Sequence, residues 1–337
     1  MLSKIFEALY NKVFISIVVE RSKSIVYVEE CSGKEILNTQ SESFATTELS
    51  DKMYEYIETF ISQTPFHYIS ILDTSNEQGA IPTCSSKDMS LFYDPSLSKH
   101  ICHQNRWAYY TLKSNIDIIK YNYAKIGIDF IFSPFTILSN FFKDKIDSNL
   151  AIYILLEDNY VSIAIFDNSE LLYADYMDMQ HGSDSEELMI DESSDDEADL
   201  DLEGSIDLED IDAMSDIDGL DDFGDIEDLD AIDEIDEFAE SQEEDKKVLE
   251  DENLSMDDVS GFNEDYQRFS LIQSSINNFY KDRKYNSKFV ESAYIADAIG
   301  VSGDLKKYLE EEMFLSVFVR HIDLGVEVCE MAKADLK

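Results

Sequence analysis

Two stretches limit what this chain can fold into more than any others. Between Leu150 and Tyr176, apolar runs rich in Ile, Val, Tyr and Phe are interrupted by Glu157-Asp158-Asn159 and by Asp167-Asn168-Ser169. β-Branched and aromatic residues suit a pleated backbone, whereas Asn, Asp and Ser accept turn geometry. The stretch therefore predicts three short strands joined by two tight turns. Val13 to Glu30 reads the same way: Val-Phe-Ile-Ser-Ile-Val-Val, a polar Glu-Arg-Ser-Lys-Ser turn, then Ile-Val-Tyr-Val. One hairpin pattern thus opens each half of the chain.

Between the hairpins the apolar spacing switches from extended to helical and back. Leu2–Tyr10 predicts a short helix and Glu35-Ile36-Leu37 a third strand. Thr47–Ser62 predicts a helix, with Leu49, Met53, Ile57 and Phe60 at three- and four-residue steps and Thr47 or Ser50 as cap. His67–Leu72 is then a strand, and β, α, β in order is the signature of a layered α/β protein. Thr74–Gln104 reads as loops around short strands, Tyr109–Ala124 as a helix, Ile126–Phe132 as a buried strand, and Thr136–Lys145 as a short helix. Towards the C-terminus, helices are expected at Tyr266–Tyr285, from Gly303 to Leu309 and at Val326–Leu336, with strands at Lys288–Ala296 and Leu315–Val319.

Charge divides the chain of 337 residues unevenly. Ser183–Ser260 holds 36 Asp and Glu against 2 Lys, whereas the other 259 residues hold 37 acids and 24 bases. A mildly acidic folded part therefore carries a very acidic insertion. Phosphate contacts need clustered Lys and Arg, so nucleic-acid binding is excluded as the expected role of either part. From Leu208 to Phe238 an apolar residue stands at every third position among acids. That period matches neither the 3.6 of an α-helix nor the 2 of a strand, and it lacks the regular glycine turns of Ca²⁺-binding repeats. The segment reads as a disordered, self-repelling loop, with an acidic–apolar interaction segment as the competing reading. Cys31, Cys84, Cys102 and Cys329 follow no Cys-x-x-Cys spacing and are read as reduced thiols of a soluble, cytoplasmic protein. Val13–Val19 is closed by Glu20-Arg21 with no cleavage site after it, so it reads as a strand and not as a signal peptide.

The order of elements resembles the actin-like ATPase fold, through Ile15–Glu29, Ile126–Leu138, Ile152–Tyr176 and Tyr294–Leu309. Within that superfamily the chain is most similar to PilM and to the cytoplasmic domain of GspL. The resemblance implies a two-lobed, actin-like (ribonuclease H-like) α/β fold. The first lobe would span 1–147, with a subdomain inserted at about 74–124. The second would span 148–182 and 263–337, interrupted by a disordered acidic insertion at 183–262. It also implies a partner: such proteins form rings or arcs beneath the inner membrane and bind the cytoplasmic N-terminal peptide of a PilN-like bitopic membrane protein.

Nucleotide-binding members carry an Asp-x-Gly pattern at each hairpin turn, the Asp for Mg²⁺ or water and the Gly for close approach of phosphate. Here Val18 and Leu155 stand at the Asp positions, and Glu20 and Glu157 at the Gly positions. An ionised Glu about 4 Å from a phosphate costs about 4 kcal/mol per unit charge at an effective dielectric of 20. The family's Gly-Gly-Gly adenine motif falls at Asp297-Ala298-Ile299. These departures imply a pseudo-ATPase with no cofactor and no metal. An active ATPase in which Glu20, Glu157 and Asp158 hold Mg²⁺ is the competing reading, and an acidic adaptor acting through 183–260 is a third. His100-x-Cys102-His103 is too tightly spaced, and lacks a fourth ligand, to make a good zinc site. Trp107, Tyr110, Phe132 and Phe135 are the aromatic candidates for a partner groove.

Overall fold

Lys12–Val19 (β1) runs antiparallel to Ser24–Ser32 (β2), which pairs antiparallel with Glu35–Phe44 (β3). A helix, Asp51–Ile61 (α1), then returns the chain to His67–Leu72 (β4), parallel to β1. The inserted part follows: Gly79–Ile81 (β5), the short helix Ser86–Met89 (α2), Ser98–His103 (β6), Trp107–Leu112 (β7) and Lys113–Asn122 (α3). Phe130–Phe132 (β8) joins β4 in parallel, and Pro134–Phe141 (α4) and Lys143–Ile146 (α5) lead to the second half. There Ala151–Leu156 (β9), Tyr160–Asp167 (β10) and Glu170–Asp178 (β11) form an antiparallel meander. Met256–Lys281 (α6), Ser292–Asp297 (β12), Gly303–Glu311 (α7), Ser316–His321 (β13) and Leu324–Asp335 (α8) complete the chain. This computed structural model describes residues 10–179, 256–300 and 303–336. Most of the expected Leu2–Tyr10 helix and of the acidic insertion lies outside the described residues.

The two five-stranded sheets have the same order, β3-β2-β1-β4-β8 and β11-β10-β9-β12-β13. In each, the first three strands are antiparallel and the last two run parallel to the central one. A mixed sheet of order 3-2-1-4-5, present twice, is the two-lobed actin-like arrangement. A three-stranded sheet, β5-β7-β6, belongs to the inserted part.

Alternation along the central strands builds the layers. Ile152, Ile154 and Leu156 of β9 face an outer core shared with Phe269, Ile272 and Phe279 of α6, while Tyr153 and Leu155 face a core between the sheets. Val13, Ile15 and Ile17 of β1 likewise pack on Met53, Ile57 and Phe60 of α1, and Phe14 and Val18 turn inward. Strands covered on both faces lose the polar alternation of a half-exposed sheet, hence the unbroken apolar runs that mark both hairpins. The inner core is filled by α4, which packs on β9 and β10, and by α8, which returns to the first lobe against β1, β2 and β4. At Gly325 the approach is close enough that a Cβ would come within 2.8 Å of Tyr27. The helix starts follow their sequence signals: Ser50 accepts from Met53 N, and Ser133 caps α4 with Pro134 in its first turn.

Four expectations need correction. Tyr109–Leu112 is strand and not helix, because the aromatic run 107–112 pairs on both sides, with β5 and β6; the helix begins at Lys113. The strand expected from Ile126 starts at Phe130, since Gly127 turns the chain at φ +75° and the Asp129 carboxylate accepts from Ile69 N at 2.8 Å. Cys84 and Cys102 are not thiols but a disulfide: β5 and β6 flank β7, which brings their Cα atoms to 5.6 Å, within bridging range. Cys31 and Cys329 are free and buried. The helix expected from Tyr266 begins at Met256, inside the tail of the expected insertion.

Candidate functional site

The β1–β2 and β9–β10 turns meet between the lobes. Each is closed by a backbone hydrogen bond, Glu20 N to Lys23 O at 2.8 Å and Glu157 N to Tyr160 O at 3.0 Å. Val18 and Leu155 are buried aliphatics of the inner core, so the two positions that would need an Asp serve packing. Arg21 crosses from the first turn to the second. Its backbone N donates to Asp158 Oδ2 (3.3 Å), its Nε to Asn159 Oδ1 (3.0 Å) and one terminal nitrogen to the Asp158 carbonyl (3.4 Å). The other terminal nitrogen reaches Glu264 Oε1 of α6 at 3.4 Å. The cavity left between the turns is about 10 Å³ and is lined by Glu20, Glu157, Asp158 and Asn159 with Ala298 and Ile299. That is room for roughly one water, against the ~300–1,000 Å³ of a small-molecule site.

The glutamates of the two turns differ. Glu20 is part-exposed and paired with Lys23 at 2.9 Å. Glu157 is 5% exposed, and its Oε2 has no hydrogen-bond partner among the described residues. Burial pushes its carboxyl up to about 8, with Asp73 and Glu20 adding repulsion. Asp73, at the end of β4, is itself buried; its carboxylate accepts from Ser75 N at 3.0 Å and from the Ser75 hydroxyl.

The remaining anion-binding elements are filled by the chain's own carboxylates. Asp297, the first residue of the expected adenine motif, turns Oδ1 onto the amides of Ile299 (3.0 Å) and Gly300 (2.8 Å), the latter at φ +76°. Asp265 Oδ2 accepts from Leu305 N in the first turn of α7 at 3.4 Å, and Arg268 donates to Asp265 Oδ1 at 3.1 Å. Loop amides and a helix N-terminus are the usual cradle of a phosphate, and here each holds a carboxylate from the same chain. Arg21, Asp73 and Asp265 were not singled out by the sequence reading. One signal for Arg21 was legible: the first turn carries Arg21 and Lys23, and the second carries Glu157 and Asp158.

The aromatic candidates do not gather into one groove. Trp107, Phe132 and Phe135 are core side chains, 2%, 4% and 0% exposed: the first two lie on strands and the third on α4, and all three belong to the inner core. Tyr110 alone of the four lines a cavity of about 530 Å³ between the inserted sheet and β8. Its ring stacks on Tyr93 at 4.0 Å. Tyr109, Ile101 and Ile131 supply further apolar wall, and Lys99, Lys120 and Asp129 supply charge. Among the described residues β6 and β8 are sheet edges, so two strand edges border this cavity. His100 and His103 point to opposite faces of β6, and Cys102 is bridged to Cys84. No group of three His, Cys, Asp or Glu suited to a metal occurs among the described residues.

The duplicated sheets with facing hairpin turns define an actin-like, two-lobed α/β protein. Within that class the chain belongs to the family described as Domain of unknown function (DUF8341), which matches residues 152–337, more than half of its length. A second, Domain of unknown function (DUF8569), matches residues 10–139. No curated protein matches the chain. Among solved structures it is similar to a Bacteroides thetaiotaomicron VPI-5482 protein with actin-like ATPase fold and unknown function. That match has 11% identity over 97% of this chain and 96% of the other, with a TM-score of 0.46. It is also similar to a chain of a PilM-PilN type IV pilus biogenesis complex, at 9% identity over 94% of each chain and a TM-score of 0.46. A third is the ethanolamine utilization protein EutJ from Carboxydothermus hydrogenoformans, at 8% identity over 96% of this chain and 89% of that one, with a TM-score of 0.41.

Proposed function

We propose that this protein is a non-catalytic, actin-like scaffold that keeps the two-lobed frame and has given up nucleotide. The observation that carries this reading is the occupation of the cleft. Arg21 spans the two turns, and Asp297 and Asp265 hold the amides a phosphate would need. Entry of a nucleotide would have to break these contacts and bring its charge beside Glu20, Glu157 and Asp73.

A docking role is supported by the 530 Å³ cavity beside Tyr110, whose bordering strand edges suit an extended peptide and whose walls offer both apolar and charged contacts. With the sequence resemblance to PilM and GspL, the occupant is read as the cytoplasmic N-terminal peptide of a PilN-like bitopic inner-membrane protein. The protein would then sit at the cytoplasmic face, held by that partner, as a ring or arc. The machine would be a type IV pilus, a type II secretion or DNA-uptake system, or a flagellar motor accessory structure. No described helix is long and apolar enough to cross a membrane. The Cys84–Cys102 disulfide weighs against a cytoplasmic site, since disulfides are rare in a reducing compartment.

The test is fluorescence titration of the full chain with a peptide copying the N-terminal tail of a single-span membrane protein encoded beside it. Saturable binding that Tyr110→Ala weakens at least tenfold supports the reading. Absence of binding, or binding indifferent to Tyr110, counts against it.

A further inference from the structure

Where the two turns meet, a carboxyl lies buried inside the seam they close. Glu157 is 5% exposed, its Oε2 makes no hydrogen bond among the described residues, and it borders the 10 Å³ cavity between the lobes. Charged and titratable groups face it from every neighbouring element. Glu20 comes from the β1–β2 turn, Asp73 from the end of β4 and Asp158 from its own turn. Tyr160 of β10 and Tyr176 of β11 face it as well, with Asp178 near both tyrosines and Asp297, in register with Leu156, at the end of β12. The cations nearest the seam are committed elsewhere: Arg21 to Asp158, Asn159 and Glu264, Lys23 to Glu20.

We propose that Glu157 is a proton-operated latch between the lobes. Protonated, it lets the two turns close on one another under Arg21; ionised, it drives them apart, so the seam opens as pH rises.

The geometry makes the closed seam hostile to charge. Burial comes first, then the neighbouring Asp73 and Glu20 carboxylates, and together they push Glu157 up to about 8 from an ordinary 4.5. An open seam admits water and returns the group to its ordinary range. The closed form therefore binds the extra proton. Closure is fully favoured below about 4.5 and is lost as pH rises towards about 8. Across that window the ratio of open to closed seam rises by up to about tenfold per pH unit, and it levels off above. Against this stand the Arg21 hydrogen bonds to Asp158 and Asn159 and the Arg21–Glu264 pair, all at exposed side chains and therefore weak clasps. The latch is independent of what fills the cavity beside Tyr110.

Amide hydrogen exchange on the full chain tests it, read at Glu20–Lys23, Glu157–Tyr160 and Ile299–Gly300 from pH 5.5 to 8.5 and corrected for intrinsic exchange. In the native chain, protection at these turns is expected to fall by up to about tenfold per pH unit between pH 6 and 8, while β1 and β9 stay protected. In Glu157→Gln, which imitates the protonated acid, turn protection stays flat. Identical pH profiles in the two proteins overturn the latch. Arg21→Ala keeps Glu157 and provides the control should the Gln variant not fold. Its turns exchange faster at every pH yet keep the slope, and loss of that slope also overturns the proposal.

Discussion

The two hairpin turns each carry a glutamate at the position where the resemblance to nucleotide-binding actin-like proteins implies a glycine, and the structure treats the two side chains in opposite ways. Glu20 reaches solvent and is neutralised by Lys23 three residues on, so it behaves as an ordinary surface ion pair. Glu157 is enclosed, with no partner for Oε2 among the described residues and with Asp73 and Glu20 as neighbours. One sequence position, read twice, is a solvated turn residue in one lobe and a buried acid in the other. The difference arises from what covers each turn. β10 and β11 wrap the second with Tyr160 and Tyr176, whereas the first turn, at Arg21–Lys23, is open.

Substitutions can break this comparison. The largest effects should be common to both lobes, because the central strands are built alike: Ile17→Ala in β1 and Ile154→Ala in β9 each remove a fully buried side chain. Each should cost about 2–5 kcal/mol by urea unfolding. A markedly smaller loss in one lobe would show that the repeat is not energetically equivalent. Next comes the asymmetric effect. Glu157→Gln should stabilise the chain at pH 8 by on the order of 2 kcal/mol and have little effect at pH 4.5. Calorimetry at the two pH values checks the sign, since the raised carboxyl makes native stability fall across that interval. Arg21→Ala should cost roughly 0–1 kcal/mol, its partners being exposed. Glu20→Gln should fall within about 0.5 kcal/mol at either pH. A response to Glu20→Gln as large as that to Glu157→Gln would erase the contrast between the turns.

Much of the frame was legible because it rests on local pattern. β1, β2, β4 and the β9–β11 meander are apolar runs between turn residues, and α1 has both its capping Ser50 and its stripe of Met53, Ile57 and Phe60. What escaped depends on contacts distant in sequence. Trp107–Leu112 is strand because β5 and β6 flank it, and the Cys84–Cys102 bridge follows from the same pairing. The burial of Trp107, Phe132 and Phe135 depends on how layers stack, so an aromatic list could not separate core from surface. At the cleft, the charged residues of each turn were readable one by one. That Arg21 would bridge to Asp158 and Asn159, 137 and 138 positions away, was not, although the opposite charges of the two turns pointed that way.

The central claim is that the cleft of this actin-like frame is filled by the chain itself. The most direct test is the unfolding temperature of the full chain with and without millimolar Mg-ATP at pH 7.5. The account predicts no shift. A ligand present at 100 times its Kd would stabilise by about 2.7 kcal/mol, so a reproducible upward shift of several degrees would contradict it.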